Sequence, residues 1–165
     1  WKKIWTRFLY LRQMSRFFLI ATVLIICTQQ ACKPDDPFVG DCFIPNQGVN
    51  ITVNMDLPEY FKLQTLGEYL TLDQGNKGIY LIHNFDDIYY AIERTCPYQS
   101  DQECAQVFLD ENSLQLICGQ QQDTTFLPCC GSIYELNSFY LSGPSRCNLK
   151  TYRLSKQGNT LYINN

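Results

Sequence analysis

Nine cysteines (Cys27, Cys32, Cys42, Cys96, Cys104, Cys118, Cys129, Cys130 and Cys147) and one histidine, His83, carry the chemical potential of this 165-residue chain. Thiols pair into disulfides, accept lipid or ligate soft metals. A single imidazole excludes every centre that needs two, such as a two-histidine zinc site or a two-histidine, one-carboxylate iron site. No G-x-S-x-G, H-E-x-x-H, phosphate-binding loop or dinucleotide fingerprint is present. Asp86-Asp87 and Asp110-Glu111 fall between apolar stretches, where acids serve turns. Ser142-Gly143-Pro144-Ser145 has no histidine nearby in sequence to activate a serine, and Gly143-Pro144 reads as a fixed turn. No catalytic residue is assigned.

What the thiols do depends on the compartment, which the N-terminus addresses. Lys2, Lys3, Arg7, Arg12 and Arg16 precede an 11-residue apolar run, Phe17 to Cys27, interrupted only by Thr22. A spanning helix needs about 20 residues. Basic residues, a short apolar run and then a small residue describe a signal peptide over residues 1–31. The competing reading is a buried helix or a single anchor. Ala31-Cys32 resembles a bacterial lipoprotein cleavage site with Cys32 as the lipidated residue, although Gln29 stands where that pattern prefers leucine. Lys33-Pro34-Asp35-Asp36 resembles the acidic export tag of Bacteroidetes surface lipoproteins, or else is a polar linker. Both readings make residues 32–41 a tether. The lipoprotein resemblance implies a place in the cell envelope, lipid-anchored to the outer membrane.

The body is acidic. Of 13 basic residues five precede residue 32, leaving eight against 16 acids. That balance repels nucleic acid, and no basic stripe is present. Outside the cytoplasm disulfides persist. Without Cys27 and Cys32, seven cysteines remain, so three bridges at most can form and one thiol is left over. Adjacent Cys129 and Cys130 point different ways and seek different partners.

Residues 42–165 read as an all-β domain. Val49 to Met55 alternates with period two. Gly75 to Gly78 is a turn signal before Ile79 to Asn84, and Ile88 to Glu93 follows Asp86-Asp87. Val107 to Leu109 and Leu114 to Cys118 read as a hairpin across Asp110-Glu111-Asn112. Thr151 to Leu154 and Thr160 to Ile163 read as a second hairpin across Gly158-Asn159. The one helix candidate is Pro58 to Thr65. Short strands at this spacing predict a small antiparallel sandwich or barrel.

Three segments resemble a Rieske domain in order and spacing. They are Glu93-Arg94-Thr95-Cys96-Pro97-Tyr98 leading to Cys104; Leu116-Ile117-Cys118 followed by Leu127-Pro128-Cys129-Cys130-Gly131-Ser132-Ile133-Tyr134; and Leu141-Ser142-Gly143-Pro144-Ser145 before the last strands. The stretch from Asn46 to Leu63 further resembles Rieske-like lipoproteins of Bacteroidetes and flavobacteria. The resemblance implies two loops that would hold a [2Fe–2S] cluster with two cysteines and two histidines. Cys96 matches the first cysteine. Tyr98 stands at the first histidine and Cys130 at the second. The second-loop cysteine falls on Leu127 under strict spacing, or on Cys118 if Gly119 to Phe126 is an insertion. Phenol, with a pKa near 10, is a poor ligand beside thiolates. His83, in a strand well before the first loop, does not replace either imidazole. A four-thiolate set from Cys96, Cys118, Cys129 and Cys130 is a further possibility.

The same resemblance implies a disulfide clipping the loops, Cys104 to Cys129. It also implies that an empty site leaves Cys96 to bond with Cys118 or Cys130. Cys42 and Cys147 lie outside both loops, and the resemblance does not fix their pairing. The leading expectation is therefore an exported, membrane-anchored domain that has lost its iron–sulfur site and serves as a disulfide-stabilised binding or structural module. Two alternatives are an electron-transfer protein with a [2Fe–2S] cluster in an altered ligand set, and a surface lipoprotein that binds glycan or protein.

Overall fold

The apolar run Ile79–His83 has no polar alternation, and every residue in it is buried. Successive strand residues face opposite sides of a sheet, so both faces of this sheet must be covered. The computed structural model meets that demand with three antiparallel sheets. It describes residues 42–122 and 125–165, within the unit Gly40–Asn165. The expected signal peptide (1–31), the lipidation site Cys32 and the rest of the tether lie outside the described residues. No helix among the described residues is long and apolar enough to cross a membrane.

The strands are β1 (Asn50–Asn54), β2 (Tyr69–Leu72), β3 (Ile79–His83), β4 (Tyr89–Glu93), β5 (Val107–Asp110), β6 (Gln115–Gln122), β7 (Thr125–Tyr134), β8 (Tyr140–Ser142), β9 (Arg153–Gln157) and β10 (Thr160–Asn164). They form sheets ordered β1-β10-β9, β2-β3-β4 and β5-β6-β7-β8. Ile79 and Leu81 enter one core with Val53, Leu63, Leu161 and Ile163. Tyr80 and Ile82, on the opposite face of β3, enter a second core with Val107, Leu116, Cys118 and Tyr134. The expected helix at Pro58 to Thr65 is a single 3₁₀ turn, Phe61–Gln64, which buries Leu63.

In chain order the third sheet is an excursion between β4 and β9. The chain returns beside β4: the Glu93 N–H donates to the Lys150 carbonyl and the Tyr152 N–H to the Ala91 carbonyl, both at 2.9 Å. Glu93 anchors this neck. Its fully buried carboxylate accepts from the N–H groups of Asn76, Lys77 and Thr95 at 2.9–3.0 Å. The Thr95 hydroxyl donates to it at 2.8 Å and the Tyr152 phenol at 2.6 Å. Gly75 is required beneath it: at φ +88° a side-chain carbon there would lie 2.6 Å from Glu93 Oε2.

Candidate metal centre

The first loop leaves β4 and closes on itself. The Cys96 N–H donates to the Ala105 carbonyl at 3.0 Å, and Thr95 bridges Gln106. Lys77 Nζ reaches in from the β2–β3 turn and donates to the carbonyls of Gln102 and Ala105. This closure fixes Cys96 at the loop's base and puts Cys104 near its end.

The second loop is a bulge in a long hairpin rather than a connection between strands. Ile117 of β6 pairs with Ile133 of β7, and Gly119 with Pro128. One residue, Cys118, therefore faces four: Cys129, Cys130, Gly131 and Ser132. Gly131 takes φ +68° within the bulge. The surplus turns Cys130 back towards Cys118 and Cys129 towards the first loop, where it forms a disulfide with Cys104. Gly119 to Gln122, paired with Thr125 to Pro128, extend this hairpin beyond Cys118, as the insertion reading requires. Leu127, the strict-spacing alternative, is an exposed residue of β7 paired with Gln120.

Three free thiols converge here. The Sγ atoms of Cys96, Cys118 and Cys130 all lie within 4.8 Å of one another, with Cys96 and Cys130 at 3.5 Å. Cys96 and Cys118 are fully buried, and Cys130 is half-buried. Tyr134 Oη lies 3.6 Å from Cys96 Sγ, and Ser132 Oγ 3.2 Å from Cys130 Sγ. Hydrogen bonding with the Cys118 and Cys96 thiols, and with Ser132, outweighs burial and holds Cys130 down to about 2. The same bonds to Cys130 and Cys96, with burial, drive Cys118 far up. For Cys96, the pull downward from Cys118 is overcome by Cys130 and burial, and it stands at about 11. The direction of these shifts makes Cys130 the most acidic of the three coupled thiols. Burial pulls Lys77 below its ordinary value, against an opposing electrostatic influence from Cys118 and Cys96.

Other expected ligands sit elsewhere. Tyr98 is half-buried against the core near the thiols, and its backbone, not its phenol, acts on Cys96. His83 pairs with Tyr89 at the end of the β3–β4 hairpin opposite Glu93 and the first loop. Its Nε2 is 2.9 Å from Asp87 Oδ1, and its ring stacks on Tyr89 at 4.1 Å. The four-thiolate set is not available, because Cys129 is consumed by Cys104. A two-cysteine, two-histidine iron–sulfur centre does not fit these residues: the donors that converge are three thiols and no imidazole. Cys96 and Cys118, considered above as disulfide partners, are unbonded, and the second bridge joins Cys42 to Cys147.

Sequence reasoning missed the support behind the bulge. Ser132 Oγ accepts the Ser145 N–H at 2.9 Å, so the Gly-Pro loop buttresses the thiol pocket. Gly143 makes this approach possible: at φ +109° an added side-chain carbon would lie 2.5 Å from Ser132 Cα. Gly143→Ala is expected to cost about 1–3 kcal/mol of stability, because both the backbone angle and the contact are strained. A urea midpoint equal to that of the parent would contradict this contact.

No family model matches this chain, and no curated protein does. Among solved structures it is similar to the plasma membrane Rieske protein of the cyanobacterium Synechocystis PCC 6803. The two are 22% identical, over 70% of this chain and 97% of that one, with a TM-score of 0.47.

Proposed function

We propose that this chain is an exported lipoprotein, anchored through Cys32 at the outer membrane, whose Rieske-like β-domain no longer builds a Rieske cluster. It works instead as a disulfide-stabilised binding or structural module for a protein or glycan in the cell envelope. The observation that carries this reading is the donor set: the two loops that resemble a cluster site bring together Cys96, Cys118 and Cys130 without an imidazole. The chain's one imidazole is held by Asp87 and Tyr89 instead. The Cys104–Cys129 disulfide ties the two loops together covalently, and Cys42–Cys147 adds a second bridge outside them. Loops fixed in this way need no cluster to stay ordered.

The test is expression of the full chain in a bacterium that processes lipoproteins, followed by mild detergent extraction. The expected product is a chain beginning at acylated Cys32 by mass, with no visible absorption that dithionite bleaches. An unmodified Cys32 would overturn the anchor. A bleachable visible spectrum with two irons per chain would overturn the loss of the cluster.

A further inference from the structure

The thiol triad has the dimensions of a site for one ion. At a metal–sulfur distance of about 2.3 Å, two sulfurs are roughly 3.8 Å apart in a tetrahedral shell and roughly 4.0 Å apart in a trigonal one. Cys96 and Cys130 are 3.5 Å apart, and no pair in the triad exceeds 4.8 Å. Closing on a common centre therefore needs shifts of only a few tenths of an ångström at each sulfur. A two-iron cluster instead needs four ligands, two at each end of an elongated core. Three sulfurs aimed at one point do not supply that arrangement.

We propose that Cys96, Cys118 and Cys130 form a mononuclear site for a thiophilic d¹⁰ cation, Cu(I) or Zn(II), in place of an iron–sulfur cluster. Three separate pieces of the fold supply the ligands: the base of the first loop, strand β6, and the four-residue bulge of β7. The site is thus built by the fold before any ion arrives. An all-sulfur donor set selects soft cations over magnesium, calcium or manganese. Tyr134 Oη beside Cys96 and Ser132 Oγ beside Cys130 are placed to donate to the coordinated sulfurs, the outer-shell role that tunes a metal site. Cys130, half-buried above two buried partners, is the side from which an ion enters. Binding releases the thiol protons to solvent as the sulfurs coordinate and involves no electron transfer.

The site also answers the compartment. In an oxidising envelope two of these three thiols would pair and strand the third. A bound cation occupies all three sulfurs and blocks that pairing. This inference is independent of the binding-module reading, since a protein without iron can hold zinc, copper or neither.

The experiment uses the full chain, purified without oxygen in mild detergent and titrated separately with Cd(II), as a spectroscopic stand-in for Zn(II), and with Cu(I). The expected result is one cation per chain with either probe and a sulfur-to-metal charge-transfer band. X-ray absorption should place three sulfurs at about 2.3 Å in the copper- or zinc-loaded protein. The metal present on isolation distinguishes the two ions. Each of Cys96→Ser, Cys118→Ser and Cys130→Ser should weaken binding by at least about a hundredfold, and Ser132→Ala by about tenfold. Non-reducing peptide mapping of the variants, finding Cys104–Cys129 and Cys42–Cys147 intact, shows that the fold survives. Because a buried Cys→Ser change can itself unfold the domain, the absorption measurement on the unmutated chain stands alone. Fewer than three sulfurs in the shell overturns the site. So does a chain that binds neither probe, including one with a third disulfide within the triad.

Discussion

Glu93→Ala is expected to remove about 3–5 kcal/mol of stability, against roughly 5–15 for a domain of this kind. The carboxylate has no cation partner among the described residues; five hydrogen bonds from Asn76, Lys77, Thr95 and Tyr152 compensate its burial. Alanine would leave three N–H groups, a hydroxyl and a phenol facing a dry gap. Each unsatisfied group costs about 1–3 kcal/mol, with partial relief from rearrangement. The damage would spread, because the same bonds tie the Gly75–Gly78 turn to β4 and hold the return strand at Tyr152. A urea midpoint giving less than about 1 kcal/mol of loss would show that the neck is held by packing alone.

Acid should act through the same group. Burial pushes the Glu93 carboxyl up, but the hydrogen bonds from Tyr152, Asn76, Lys77 and Thr95 outweigh it, and the group titrates below its ordinary 4.5. A carboxylate depressed in the folded state contributes stability above its unfolded pKa and loses it as the pH falls through the folded one. The stability gap between the parent and Glu93→Gln should therefore be constant above about pH 5.5 and shrink below 4.5. A gap that does not change down to pH 3 would contradict the assignment.

The second large effect belongs to the Cys42–Cys147 bridge. Its closed loop, with a sequence separation of 105, is far longer than that of Cys104–Cys129, at 25. On loop-closure entropy the two are worth about 4.7 and about 3.5 kcal/mol respectively. The double variant Cys42→Ser/Cys147→Ser should therefore be the less stable of the two bridge-deleted proteins by about 1 kcal/mol, read from thermal or urea unfolding. The Cys104→Ser/Cys129→Ser protein should lose less stability yet expose the thiol triad, because that bridge ties the bulge to the first loop. Faster alkylation of Cys130 would report the opening. The reverse order of stabilities would mean that strain or local packing, not loop entropy, governs these bridges.

Much of this frame is legible in the chain. Ile79 to His83 announces itself as a strand because an unbroken apolar run after a glycine turn suits a strand covered on both faces. The hairpins after Asp86-Asp87 and around Gly158-Asn159 follow from turn chemistry. β7 is hidden because Pro128 and Gly131 break its pattern, and only pairing with β6 makes it a strand. The same bulge explains why spacing alone left the second-loop ligand between Leu127 and Cys118. How far a bulge carries a residue is decided across the sheet, not along the chain. β2 and β8 are four and three residues long, too short to carry a period. Glu93 gives one weak signal, an acid closing an apolar strand, but nothing local shows that five donors from three segments meet it.

The most direct measurement is the iron content of the chain isolated anaerobically from the cells that make it, together with electron paramagnetic resonance after dithionite reduction. Without paired imidazoles the protein should carry far less than one iron per chain and give no signal from a reduced iron pair. Two irons per chain with a reducible paramagnetic centre would contradict this expectation.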